Sequence, residues 1–121
     1  MSAQQRVLIV DQSSESRAVL RTALERQGTQ ILEAGRVRQG LELVRAHAPD
    51  VIVLDLDGHD GAAGVLSEEF GKAVAGRPTP IVVLGAARRQ IPSLPHGEFV
   101  AKPYHYGPLV RKIEQLLAQL G

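Results

Sequence analysis

Residues Asp50–Asp55 read DVIVLD: an acid, four apolar residues in succession, and a second carboxylate at the far end. A run this short, rich in β-branched side chains and without polar alternation, fits a strand buried on both faces, as in a parallel sheet covered by helices. It is read as the central strand. In open α/β sheets ligands bind in the crevice outside the carboxyl ends of the strands, which puts Asp55 at the mouth of that crevice. Asp55 is therefore the first candidate for chemistry.

Composition sets the frame around that strand. The chain has 121 residues, read as one domain over 1–121 and long enough to bury a sheet between two helical layers. Hydrophobic residues make up 44% and mean hydropathy is near zero, which describes a globular protein. No apolar run reaches the roughly 18 residues needed to cross a bilayer, and the first residues, MSAQQR, lack the apolar core of a signal peptide. A cytoplasmic domain without membrane contact is the expectation. With no cysteine there is no disulfide framework and no thiolate nucleophile. His47, His59, His96 and His105 show no metal-ligand spacing. A net charge of +1, with basic and acidic residues interspersed, gives no footprint for nucleic acid.

Around the central strand, short apolar runs alternate with amphipathic segments. Arg6–Val10 (RVLIV) reads as the first strand, and Ser13 or Ser14 offers a hydroxyl cap for a helix to about Gln27. In that helix Val19, Leu20, Ala23 and Leu24 mark the apolar side, with Arg17, Arg21, Glu25 and Arg26 on the wet side. Gly28 suits a left-handed residue closing the helix. Gln30–Ala34 reads as a strand and Val37–Ala46 as a helix burying Leu41 and Val44. After Asp55 a loop of small and acidic residues leads to a helix from about Val65 to Ala75, with Leu66 and Phe70 facing inward. Ile81–Leu84 and Glu98–Ala101 are the last two strands. Between them GAARRQIPSLPHG, with its two prolines, leaves room for a turn or two of helix at most. A final helix from about His105 to Leu120 lines up Leu109, Val110, Ile113, Leu116, Leu117 and Leu120. Five strands alternating with helices predict a parallel sheet with right-handed crossovers and helices on both faces.

In such a sheet Asp11, Asp55 and Lys102 all follow strands at the same carboxyl edge. Two neighbouring carboxylates disfavour joint ionisation, and a divalent cation with an ammonium beside it relieves that cost, Mg²⁺ being suited to hard oxygen ligands. The same arrangement suits acceptance of a phosphoryl group by a carboxylate, with cationic groups offsetting charge on the phosphoryl oxygens.

VLIVD ending at Asp11, PDVIVLD ending at Asp55, PIVVL ending at Leu84 and FVAKP around Lys102 together resemble the receiver domain of two-component response regulators. No single motif is specific, but their order and spacing cover nearly the whole chain. The resemblance implies a flavodoxin-like, doubly wound, three-layer fold with strand order 2-1-3-4-5 and about five helices. It implies that Asp55 accepts a phosphoryl group from a histidine kinase or phosphotransfer protein. It further implies that Asp11, Asp55 and the backbone carbonyl of Asp57 hold Mg²⁺, and that Lys102 contacts the phosphoryl group and is joined to Pro103 by a cis peptide. Such a domain is a signalling module rather than an enzyme, working through an effector domain or a homodimer.

The departures from the pattern are equally readable. A second acid usually follows the first, and here Gln12 stands in its place, so Mg²⁺ is expected to bind weakly. The hydroxyl residue after the fourth strand is replaced by Gly85, which removes the partner of the switch aromatic at Phe99. The loop to Asp60 and Gly61 is about two residues short, and the fourth helix is cut down. Asp57, Arg88 and Arg89 are candidates to compensate in part. Bland roles stand beside these: Arg88 and Arg89 as a solvated loop, His59 as an exposed loop residue, Phe99 as a core aromatic, and Tyr104 and Tyr106 as cover for the edge of the last helix. The alternative to a phosphorylated receiver is a pseudo-receiver, a phosphorylation-independent binding or dimerisation module in which Lys102 and Asp55 form a structural ion pair. A flavin or nucleotide domain of similar topology is set aside: DQSSESR has no glycine to cradle phosphate, and aromatics are only 3% of the chain.

Overall fold

The computed structural model describes residues 4–57, 62–85, 94 and 96–120. The expected positions His59, Asp60, Gly61, Arg88 and Arg89, and the shortened fourth helix, lie outside the described residues. The strands are β1 (Arg6–Val10), β2 (Gln30–Ala34), β3 (Val51–Asp55), β4 (Ile81–Gly85) and β5 (Gly97–Ala101), and the described helices are α1 (Ser14–Glu25), α2 (Val37–His47), α3 (Ala63–Ala73) and α4 (Tyr106–Leu120). All strand pairs are parallel, in the order β2-β1-β3-β4-β5.

The strand alternation of period two divides the core into two layers. Leu8 and Val10, Ile52 and Leu54, and Ile81 and Val83 point to one face, where they pack with Leu41 and Val44 of α2 and Phe70 of α3. Val7 and Ile9, Val51 and Val53, and Val82 and Leu84 point to the other, against Leu20 and Leu24 of α1 and Leu109, Ile113 and Leu117 of α4. Because both faces are covered, β3 and β4 are buried along their whole length, while the edge strands β2 and β5 are half-buried. The continuous apolar runs are the direct consequence of this arrangement.

Local chemistry fixes the helix ends. Ser13 caps α1, its Oγ accepting from the Ser16 backbone N–H at 3.1 Å. Gly28 takes a positive φ of 82° in the turn that follows, a region that glycine enters without steric cost. Helix α2 approaches β1 so closely that a Cβ at Gly40 would lie 2.7 Å from Val10 Cγ2.

Three assignments made from periodicity are corrected. Val19 is 37% exposed and Leu120 40% exposed, because each lies at the margin of its apolar stripe, beyond reach of the sheet. Arg17 is not a solvated side chain: it folds back over β2, its Nε 3.2 Å from the Glu33 carboxylate, while Arg21 stays on the wet side, 42% exposed, and also reaches Glu33 at 2.5 Å. Helix α3 begins two residues before the expected Val65.

Candidate functional site

Register and parity bring the candidate residues together. Val10 lies opposite Leu54, so Asp11 and Asp55, one step further along, are abreast. Asp55 is level with Leu84, Leu84 with Val100, and Lys102 follows two positions on. Asp11 shares the parity of Val7 and Ile9, Asp55 that of Val51 and Val53, and Lys102 that of Val100, so all three fall on the α1/α4 side of the sheet. The backbone at this rim is held by hydrogen bonds that run past the strand ends: Asp11 N–H donates to the Ala34 carbonyl, Leu56 N–H to the Leu84 carbonyl, and Lys102 N–H to the Gly85 carbonyl.

Both acids are buried, Asp11 5% and Asp55 9% exposed. Lys102 Nζ lies 2.5 Å from Asp55 Oδ2 and 2.9 Å from Asp57 Oδ2, and the Asp57 backbone N–H donates to Asp55 Oδ1 at 2.8 Å. Each oxygen of Asp55 thus has a donor. Asp11 Oδ1 accepts from the Ser13 backbone N–H at 2.8 Å. Its carbonyl accepts from the Arg17 guanidinium, which lies where a side chain on Gly35 would otherwise stand. The peptide bond between Lys102 and Pro103 is cis.

The electrostatics follow from crowding two carboxylates into a buried notch. Burial pushes the Asp11 carboxyl above its ordinary range; the Ser13 N–H pulls it down, and the charge of Asp55, within hydrogen-bonding reach, pushes it up again. For Lys102, burial works against the charged form, but the hydrogen bonds and charges of Asp55 and Asp57 outweigh it and hold the ammonium above its ordinary value. Lys102 is therefore protonated throughout the neutral range.

Gln12 is exposed. Gly85 leaves bare backbone at the rim: a Cβ there would sit 3.4 Å from the edge of the Phe99 ring and 3.6 Å from Asp57 Oδ1. Phe99 is half-buried and packs against the α2/α3 side of the core. Among the described residues no group of three or more His, Asp or Glu side chains is arranged to hold a metal, and the Asp57 side chain meets Lys102.

Three side chains make contacts that sequence reasoning did not foresee. Arg17, placed on the wet side of its helix, braces the loop that carries Asp11; the acid at Glu33 and the small Gly35 opposite it were the available signals. Tyr104 and Tyr106 do not simply cover the last helix. Their rings meet edge to face at 5.6 Å, the Tyr106 hydroxyl is 3.1 Å from Ser16 Oγ on α1, and Tyr104 borders the acidic notch. Burial pushes its phenol up, and the charges of Tyr106 and Asp11 add to that.

Known proteins resemble this chain in sequence and in fold. The sequence pattern of the family described as the response regulator receiver domain matches residues 7–114. The chain is 32% identical over 116 residues to the KDP operon transcriptional regulatory protein KdpE of Escherichia coli, covering 92% of this chain and 50% of that protein. It is 29% identical to the phosphate regulon transcriptional regulatory protein PhoB of Pseudomonas aeruginosa, covering 95% and 52%. It thus spans about half the length of either regulator. A two-component response regulator from Clostridium difficile superimposes with a TM-score of 0.79 at 21% identity, over 98% of this chain and 99% of that one, which shows the shared fold. The chain belongs to the response regulator receiver domain family of two-component signalling.

Proposed function

We propose that this domain, taken over residues 1–121, accepts a phosphoryl group on Asp55 from a histidine kinase or phosphotransfer protein and passes the signal on through altered protein contacts. The observation that carries the reading is the pairing of a buried, strand-end carboxylate with a protonated lysine at 2.5 Å. In the transfer an Asp55 oxygen attacks phosphorus, an acyl phosphate bond forms, and the bond from phosphorus to the donor imidazole nitrogen breaks. The imidazole leaves with the bonding electron pair and takes up a proton. Lys102 offsets charge on the phosphoryl oxygens, and the Asp57 N–H holds the carboxyl group in place.

Mg²⁺ fits the donor set. Asp11, whose carboxyl is pushed up by burial and by Asp55, gains from a cation beside it, and Asp11, Asp55 and the Asp57 carbonyl are hard oxygen donors. When bound, the ion would neutralise charge on the two acids and the phosphoryl oxygens. Two carboxylates with Gln12 in place of a third make this a weak site, in which water supplies most remaining ligands.

The signal leaves by another route than a hydroxyl and aromatic pair, since Gly85 offers no hydroxyl to draw Phe99 inward. An effector domain or a second copy of the chain are the candidate receivers of the signal, in a cytoplasmic setting, and nucleic acid and membrane are not direct partners of this domain. The test is incubation with acetyl phosphate and Mg²⁺ followed by intact mass measurement. The expected result is a single phosphoryl adduct in the wild type and none in Asp55→Asn. The absence of any adduct would favour the pseudo-receiver, a binding module in which Lys102 and Asp55 are a structural pair.

A further inference from the structure

The groups around Asp55 form a closed ring. Asp55 Oδ1 accepts from the Asp57 N–H at 2.8 Å, Asp55 Oδ2 meets Lys102 Nζ at 2.5 Å, and the same Nζ meets Asp57 Oδ2 at 2.9 Å. Asp57 lies on the outer side of this ring, its side chain 37% exposed against 8% for Asp55. Its other oxygen, Oδ1, lies 3.6 Å from the point a Cβ of Gly85 would occupy. The carboxylate therefore lies within ordinary contact distance of that position, beside the bare backbone of Gly85.

An anion joined to Asp55 needs a charge-assisted donor for its outer oxygens. Among the described residues Lys102 is the cation in contact with Asp55, and it is shared with Asp57; Arg17 is turned to Glu33 and the Asp11 carbonyl. A phosphoryl group arriving on Asp55 would bring negative charge against a carboxylate already seated on its donor. We propose that the Asp57 carboxylate is a resident anion in the phosphoryl seat, a gating residue that must swing away before a phosphoryl group or a phosphoryl mimic binds at Asp55. This rests on the reading of Asp55 as acceptor and adds to it a control on access. The bare backbone at 85 and the acid at 57 lie side by side at the rim, and it is the acid that sits on Lys102.

The experiment titrates beryllofluoride, a phosphoryl mimic, in the presence of Mg²⁺ with the wild type, Asp57→Asn, Asp57→Ala and Asp55→Asn, following bound fluoride by fluorine NMR. The half-exposed Asp57 is far from the core, and both substitutions keep the backbone N–H and carbonyl. A seat closed about nine-tenths of the time reduces apparent affinity about tenfold, so both Asp57 variants are expected to bind about tenfold more tightly than the wild type, while Asp55→Asn binds none. The gain is expected to persist in 1 M salt, where the screening length is about 3 Å; a gain that disappears there would indicate a long-range field and overturn the gating role. Wild-type binding that is unchanged or weakened by Asp57→Asn would also overturn it, while leaving Asp55 as acceptor. No binding by any variant, Asp57→Ala included, would overturn both.

Discussion

The two ends of the sheet on either side of β3 are built in opposite ways, and two glycines at its α2/α3 face mark the contrast. On the β1/β2 flank the packing is tight: a Cβ at Gly40 would run into Val10 at 2.7 Å and lie 3.4 Å from Phe70, both of them buried. There Arg17, Arg21 and Glu33 interlock over Asp11. On the β4/β5 flank the rim is bare. A Cβ at Gly85 would meet its neighbours at 3.4 Å and beyond, ordinary contact distance, and the adjacent carboxylate and ring are half-exposed or half-buried. The side that holds Asp11 is packed to a fixed shape. The side from which a phosphorylation signal would be read has lost side-chain substance.

Substitutions at those glycines should therefore have opposite signs. The largest effect is expected for Gly40→Ala. Alanine gains about 1 kcal/mol of helix propensity over glycine, but overpacking a filled core costs about 1–3 kcal/mol, and neither the β-branched Val10 nor the fully buried Phe70 has room to yield. A net loss of up to about 2 kcal/mol in urea unfolding is predicted; a stabilised variant would show that the seam between α2 and β1 is looser than its geometry implies. Next comes Arg17→Ala, which leaves the Asp11 carbonyl and Glu33 without their guanidinium partner. A loss of about 1 kcal/mol or more is expected for hydrogen bonds to a charged group, read in the same unfolding experiment.

Asp11→Asn should instead stabilise the domain at neutral pH, since it removes a buried charge beside Asp55, by about 0.5–2 kcal/mol, the range common for stabilising substitutions. The sign follows from linkage. Because the folded state raises the Asp11 carboxyl above its unfolded value, the native state binds more protons in that window, and stability falls as pH rises through it. The wild type should lose stability between the ordinary carboxylate range and the raised value, whereas Asp11→Asn should follow a flatter profile. Added Mg²⁺ should recover part of the difference in the wild type. The smallest effect is predicted for Gly85→Ala: with no positive φ and no clash, the loss of unfolded-state freedom favours alanine by about 0.4–1 kcal/mol. A destabilised variant would mean that this flank is as tightly packed as the other.

Much of this architecture was legible because it rests on short-range patterns. The apolar runs ending at Val10, Asp55 and Gly85 gave the strands nearly residue for residue, since burial on both faces leaves no polar position to blur them. Ser13 was readable as a helix cap from its place before an apolar periodicity. The meeting of Asp11, Asp55 and Lys102 followed from strand ends at one carboxyl edge. What was not legible depended on long side chains and on three-dimensional neighbours. Arg17 and Arg21 fit a solvated helix face in one dimension, yet their stems reach across to Glu33. The Asp57 side chain could be noted as extra charge, but its pairing with Lys102 depends on a loop geometry that no period encodes. Val19 and Leu120 show the limit of periodicity itself, which gives the direction of a stripe but not its width.

The central claim is that Asp55, and not its acidic neighbours, is where a phosphoryl group arrives. After incubation with acetyl phosphate and Mg²⁺, borohydride reduction converts an aspartyl phosphate to homoserine, which peptide mass spectrometry locates in the chain. The account predicts homoserine at position 55 alone; homoserine at 11 or 57, or at no position under any phosphodonor condition, would contradict it.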